Sequence, residues 1–151
     1  MGARRGGALF VVNDRPDVAL MVGADGVHLG QEDLPPAEAR RVMGNDAIVG
    51  RSTHSLEQVR ASLGEPVDYV AIGPVFQTAS KANPDPVVGP ELLREARALT
   101  DLPLVAIGGI DAARAVVAIA AGADGVAVLS ALTDAPDLEQ AARAFVLGWR
   151  R

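Results

Sequence analysis

Six times along this chain a short apolar run is followed by a turn and then by a helix-periodic segment, and that rhythm constrains the fold more than any single residue. The runs fall at residues 9–12, 26–29, 47–50, 69–72, 104–107 and 125–129. They are rich in β-branched residues and nearly continuous in apolar character, as strands are when both faces of a parallel sheet are covered. Helical patterns fill the gaps at about 16–22, 36–43, 56–63, 90–99 and 112–121, with a last one at about 138–149. Ser55 with Gln58 and Asp137 with Gln140 read as capping boxes, and Pro90 suits a first helical turn. Gly23, Gly44, Gly64 and Gly122 read as left-handed helix stops.

An internal echo supports a repeating architecture. Gly23-Ala24-Asp25-Gly26-Val27 recurs as Gly122-Ala123-Asp124-Gly125-Val126, each at a helix-to-strand junction, with Val67-Asp68-Tyr69-Val70 as a weaker relative. These aspartates read as structural caps of the turn before a strand, because they precede strands, and that end of a β/α barrel is its stability face. Six β/α units without an antiparallel signal leave a doubly wound sheet or a TIM-type (β/α)8 barrel, here with six of the eight units. No Gly-x-Gly-x-x-Gly follows any strand, which removes the main support for a dinucleotide-binding sheet. Residues 1–7 read as a ragged start and 8–151 as one partial barrel domain.

Composition narrows the partners. The chain has no cysteine, so a metal would rest on oxygen ligands or on His28 and His54. A net charge of −5 argues against nucleic acid or an anionic membrane as a partner. The sequence holds neither a signal-peptide pattern nor a long uninterrupted apolar stretch, and the expected location is the cytoplasm.

Residues that follow strands are the candidate chemistry. Lys81 is the only lysine beside 13 arginines, and it closes a Thr78-x-Ser80-Lys81 cluster after the fourth run. Two hydroxyls and a compact ammonium suit phosphate oxygens. The first run leads to Asn13-Asp14, the second to Gln31-Glu32-Asp33, and the third to Arg51-Ser52-Thr53-His54. Asp14 and Asp33 on neighbouring strand ends suit a hard cation such as Mg²⁺ that shares its shell with water and a substrate phosphate. Capping of the next helix is the structural alternative for each. Gly108-Gly109, between a strand and a helix, suits a second anion held by backbone N–H groups, together with Leu129-Ser130; a plain tight turn is the alternative there. His54 reads as a hydrogen-bonded spacer, His28 as a satisfied core histidine, and Phe145 and Trp149 as packing.

At these residues the chain resembles the thiamine phosphate synthase family. The matching stretches are 11–15, 25–35, 50–54, 68–76, 78–81, 105–110 and 122–130. The resemblance implies a TIM barrel that joins hydroxymethylpyrimidine pyrophosphate to a thiazole phosphate and releases pyrophosphate. It implies Mg²⁺ on Asp14 and Asp33, pyrophosphate on Asn13, Ser52 and Lys81, and thiazole phosphate on Thr78, Ser80, Gly109, Leu129 and Ser130. Lys81 and Ser52 are then the residues nearest the chemistry. Nothing matches the family's Gln-x-Arg-x-Lys strand, Gln77 replaces a usual proline, and Arg51 stands where a small apolar residue is common. A truncated barrel is therefore expected, with weak or no turnover alone and open edges that invite association between copies. A thiazole tautomerase using His54, and a barrel that only binds a phosphate ligand or partner chain, are the alternatives.

Overall fold

A computed structural model describes residues 6–78 and 85–149, with side chains to residue 146. Its strands are β1 (Val11–Asn13), β2 (Gly26–Leu29), β3 (Ile48–Thr53), β4 (Tyr69–Ile72), β5 (Leu104–Ile107) and β6 (Gly125–Ala127). Its helices are α1 (Pro16–Met21), α2 (Pro36–Met43), α3 (Leu56–Ser62), α4 (Gly89–Arg97), α5 (Ala112–Ala120), the single turn α6 (Ser130–Thr133) and α7 (Leu138–Trp149). All strand pairs are parallel, and they lie side by side in chain order from β1 to β6. β1 and β6 each pair with one neighbour among the described residues.

Register separates two faces. Val27 pairs with Val49, and Leu29, Arg51, Val70 and Leu104 lie in a row; Val27, Leu29, Val49, Val70 and Leu104 are fully buried. This face packs on the helices, whose contacts are largely Ala19, Ala39, Ala96, Ala115 and Ala118 with Val59 and Leu93. Small helix residues bring the helix backbones close to the sheet, and each buried Val or Leu contributes about 1.5–3 kcal/mol. The other face, toward the barrel interior, carries Asn13, His28, Gly50 and Tyr69 in one row.

The expected elements appear with shifted ends. β1 runs to Asn13, and β6 stops at Ala127 rather than 129. β3 extends to Thr53, so Arg51, Ser52 and Thr53 lie in the strand and not beyond it. Their polar groups find partners: Thr53 Oγ1 donates to the Ala71 carbonyl at 3.0 Å, and Arg51 Nη1 donates to the Gly30 carbonyl at 2.6 Å. Arg51 is buried, with Nε 3.7 Å from Glu65, yet that N–H has no hydrogen-bond partner among the described residues.

Gly23, Gly44 and Gly122 adopt positive φ as expected, and Gly64 does not. There the amides of Leu63 and Gly64 continue the turn, donating to Val59 and Ala61, and the chain leaves toward Pro66 in right-handed geometry. Ser55 caps α3 by accepting from Gln58 N–H at 3.2 Å. The return arm differs from a capping box, since Gln58 Oε1 accepts from the His54 amide. Asp137 accepts from Gln140 N–H at 2.9 Å.

The echoed aspartates are structural, but they act on the neighbouring strand. Asp25 accepts from the Phe10 amide, Asp68 from Val49 and Asp124 from Leu104, at 2.7, 2.7 and 2.8 Å. Asp68 and Asp124 also hold Arg40 and Arg97, at 2.6 and 2.7 Å. Each thus ties the start of one strand to the turn that opens the next.

Candidate active site

Parallel strands carry their C-terminal ends to one rim, and Asn13, Asp14, Asp33 and Ser52 collect there. Asn13 ends β1 and Asp14 follows it; Asp33 sits in the turn after β2; Ser52 lies near the end of β3. Asp14 and Asp33 therefore sit at the same end of adjacent strands. Asp14 is held at φ 64, a left-handed conformation that costs a non-glycine residue about 1–2 kcal/mol. Its amide donates to the His28 carbonyl at 2.8 Å, and its Oδ1 accepts from Asn13 Nδ2 at 2.7 Å. Asp33 Oδ2 accepts from the Gly30 amide at 2.7 Å, which folds the turn back onto the end of β2.

Ser52 is anchored twice. Its Oγ lies 2.8 Å from His28 Nε2, and its carbonyl accepts from Gln31 Nε2 at 2.5 Å. His28 is half-buried, and its Nδ1 lies 2.9 Å from the Tyr69 hydroxyl. Burial lowers the His28 pKa, with the charge of Asp33 opposing and that of Arg51 adding to the effect. Burial raises the Tyr69 pKa, so both groups are held neutral. The core-histidine reading of His28 holds in that its ring is satisfied, but sequence reasoning missed that its partners are Tyr69 and Ser52.

The second cluster joins the loops after β4 and β5. Val75 N–H donates to the Ile107 carbonyl at 2.9 Å and Phe76 N–H to Gly108 at 3.1 Å. Gly108 and Gly109 have φ of 93° and 63°, and a Cβ on Gly109 would stand 2.3 Å from the Gln77 carbonyl oxygen. Packing against the β4 loop thus requires glycine at 109 whatever the ligand. Arg114 adds a clamp: Nη1 donates to the Gly109 carbonyl at 2.8 Å, and the guanidinium lies 5.3 Å over the Phe76 ring. Thr78 is half-buried beside this cluster in sequence, Leu129 is exposed, and Ser130 opens α6. Ser80 and Lys81 lie outside the described residues.

His54 Nδ1 bonds the Gly73 carbonyl at 2.5 Å, and Nε2 lies 3.6 Å from Asp85. It is the spacer expected, tying β3 to the β4 loop. A cleft lined by Leu9, Asp25, Met43, Asp46 and Ile48 opens at the opposite end of the strands and carries none of these groups. No group of three or more His, Cys, Asp or Glu is placed to hold a metal among the described residues. The donor set of Asp14 and Asp33 fits a hard cation that keeps water and shares substrate oxygens, because two carboxylates suffice for Mg²⁺ in that mode.

Residues 2–132 match the family described as thiamine monophosphate synthase. The chain belongs to the thiamine monophosphate synthase family. It is 53% identical over 148 residues to a thiamine biosynthesis bifunctional protein of Symbiobacterium thermophilum, covering 98% of this chain and 31% of that protein. It is 53% identical over 137 residues to a thiamine-phosphate synthase of Methanoculleus marisnigri, covering 91% and 65%. A solved thiamine phosphate pyrophosphorylase from Pyrococcus furiosus superposes with a TM-score of 0.88 at 39% identity, covering 97% of this chain and 69% of that one. The chain thus spans about two thirds of the length of single-function family members such as these. Family membership and the superposition account for the barrel strands.

Proposed function

We propose that this chain acts as a thiamine phosphate synthase, joining hydroxymethylpyrimidine pyrophosphate to a thiazole phosphate with release of pyrophosphate. The observation that carries this reading is the linked rim itself: Asp14 N–H bonds His28 O, and His28 Nε2 bonds Ser52 Oγ. One strand residue thereby ties the Asn13-Asp14 end of β1 to the hydroxyl of β3. Mg²⁺ on Asp14 and Asp33, when bound, would supply charge neutralisation for the departing pyrophosphate. Ser52 and the Asn13 amide would donate hydrogen bonds to the same group, with Lys81 adding an ammonium from the β4 loop. The second phosphate would sit against Gly109, Thr78, Ser80 and Leu129-Ser130 at the far side of the rim.

A tautomerase built on His54 would have to work through Nε2, which lies 3.6 Å from Asp85, since Nδ1 bonds the Gly73 carbonyl. Exposed Leu9 and Phe10 lie beside the edge of β1, which among the described residues pairs only with β2, and they support association with further copies of the chain. Among the described residues no helix is long and apolar enough to cross a membrane, and the acidic charge argues against nucleic-acid partners; the location read for the enzyme is the cytoplasm.

The test pairs calorimetry of pyrophosphate binding, with and without Mg²⁺, with an assay of pyrophosphate release from both substrates. Mg²⁺-dependent binding that Asp33→Asn abolishes is expected. Absence of binding at any Mg²⁺ concentration sinks the proposal, and binding without release under saturating substrates marks the chain as a binding barrel.

A further inference from the structure

Three side chains on the interior face form a hydrogen-bonded run whose order matters. The Tyr69 hydroxyl meets His28 Nδ1 at 2.9 Å, and His28 Nε2 meets Ser52 Oγ at 2.8 Å. The His28 and Tyr69 rings stack, with centroids 5.5 Å apart and planes 22° from parallel. Gly50 stands between them in register, and its missing side chain leaves the space that the Tyr69 ring occupies. Gln31 fixes the Ser52 backbone from the other side.

A neutral imidazole carries one N–H and one lone pair, so the run has two states. In the first, Nδ1–H donates to Tyr69 and Nε2 accepts the Ser52 proton. Ser52 then presents only lone pairs to the rim and repels an anion. In the second, the Tyr69 O–H donates to Nδ1 and Nε2–H donates to Ser52 Oγ. The Ser52 proton is then released to point at a ligand. A phenol is a better donor than acceptor, which favours the second state, and an anionic ligand on Ser52 would favour it further.

We propose that Tyr69 and His28 are positioning residues that fix the Nε2–H tautomer and so present Ser52 as a hydrogen-bond donor to the pyrophosphate. This rests on the pyrophosphate reading of the rim given above. No proton need be transferred; the run sets only the direction in which three existing hydrogens point.

Two measurements test it. Nitrogen-15 NMR of the His28 ring on the unmodified chain is expected to show Nδ1 without and Nε2 with a proton. An Nδ1–H tautomer overturns the inference while leaving the rim's function intact. The second measurement is a double-mutant cycle on Mg²⁺-pyrophosphate affinity. Tyr69→Phe keeps the ring and removes only the donor; a loss of about tenfold is expected, the scale of one hydrogen bond to a charged group. Added to Ser52→Ala, the same change is expected to cost nothing further. Full additivity of the two losses overturns the inference, and the NMR result stands even if a variant folds poorly. If the unmodified chain binds no pyrophosphate yet shows the Nε2–H tautomer, the rim reading falls, and with it an anion as the recipient of the Ser52 proton.

Discussion

The ring of Tyr69 fills the space that a side chain at Gly50 would take: a Cβ there would lie 2.1 Å from Tyr69 Cζ and 2.4 Å from its hydroxyl oxygen. The two residues are register partners on β3 and β4, so the ring reaches sideways over the neighbouring strand toward His28. Gly50→Ala is expected to expel the ring, destabilising the fold by about 1–3 kcal/mol through overpacking. Pyrophosphate affinity should fall with it. Chemical denaturation and calorimetry on the same variant check both; a Gly50→Ala protein as stable as the parent would contradict the packing argument.

Asp14 separates binding from folding. Asparagine tolerates left-handed backbone and keeps the side-chain shape, so Asp14→Asn should hold stability to within about 0.5 kcal/mol. It removes a carboxylate from the Mg²⁺ donor set, so the Mg²⁺ dependence of pyrophosphate binding should weaken at least tenfold. Removing Mg²⁺ with a chelator should reduce the parent to the variant's affinity. Equal Mg²⁺ dependence in both proteins would remove Asp14 from the metal site.

Gly109→Ala meets two penalties at once. The backbone stands at φ 63, and the added methyl would press within 2.3 Å of the Gln77 carbonyl oxygen. A loss of about 2–4 kcal/mol in stability is expected, from left-handed strain of about 1 kcal/mol plus a backbone clash. Thermal unfolding reads it, and the loss should appear without any ligand present.

Asp68 joins two strands and a helix through one oxygen, which accepts from Val49 N–H and Arg40 Nη2. Asp68→Ala should cost about 1–3 kcal/mol, because it leaves a strand amide unpaired near the sheet's lower end. Amide exchange at Val49 should accelerate first. The distant rim should keep its pyrophosphate affinity in whatever fraction stays folded.

The alternation of apolar runs and helical periods was enough to determine six parallel β/α units, and the spacing of Asn13, Asp14, Asp33 and Ser52 after those runs placed them on one rim. Such signals survive in one dimension because they depend on local period and on chain direction, which parallel strands share. Three things did not survive. The polar tail Arg51-Ser52-Thr53 looked like loop, since hydropathy does not record that Ala71 and Gly30 carbonyls await those side chains. Gly64 looked like a left-handed stop, yet its neighbours closed the helix without one. His28 read as a satisfied core histidine, and it is one, but its partners were not legible, because Tyr69 lies 41 positions away and meets it only across the empty side of Gly50. Local pattern determined where each polar group sits along its strand; sheet register alone decided which groups touch, because lateral pairing joins residues whose separation in the chain carries no signal.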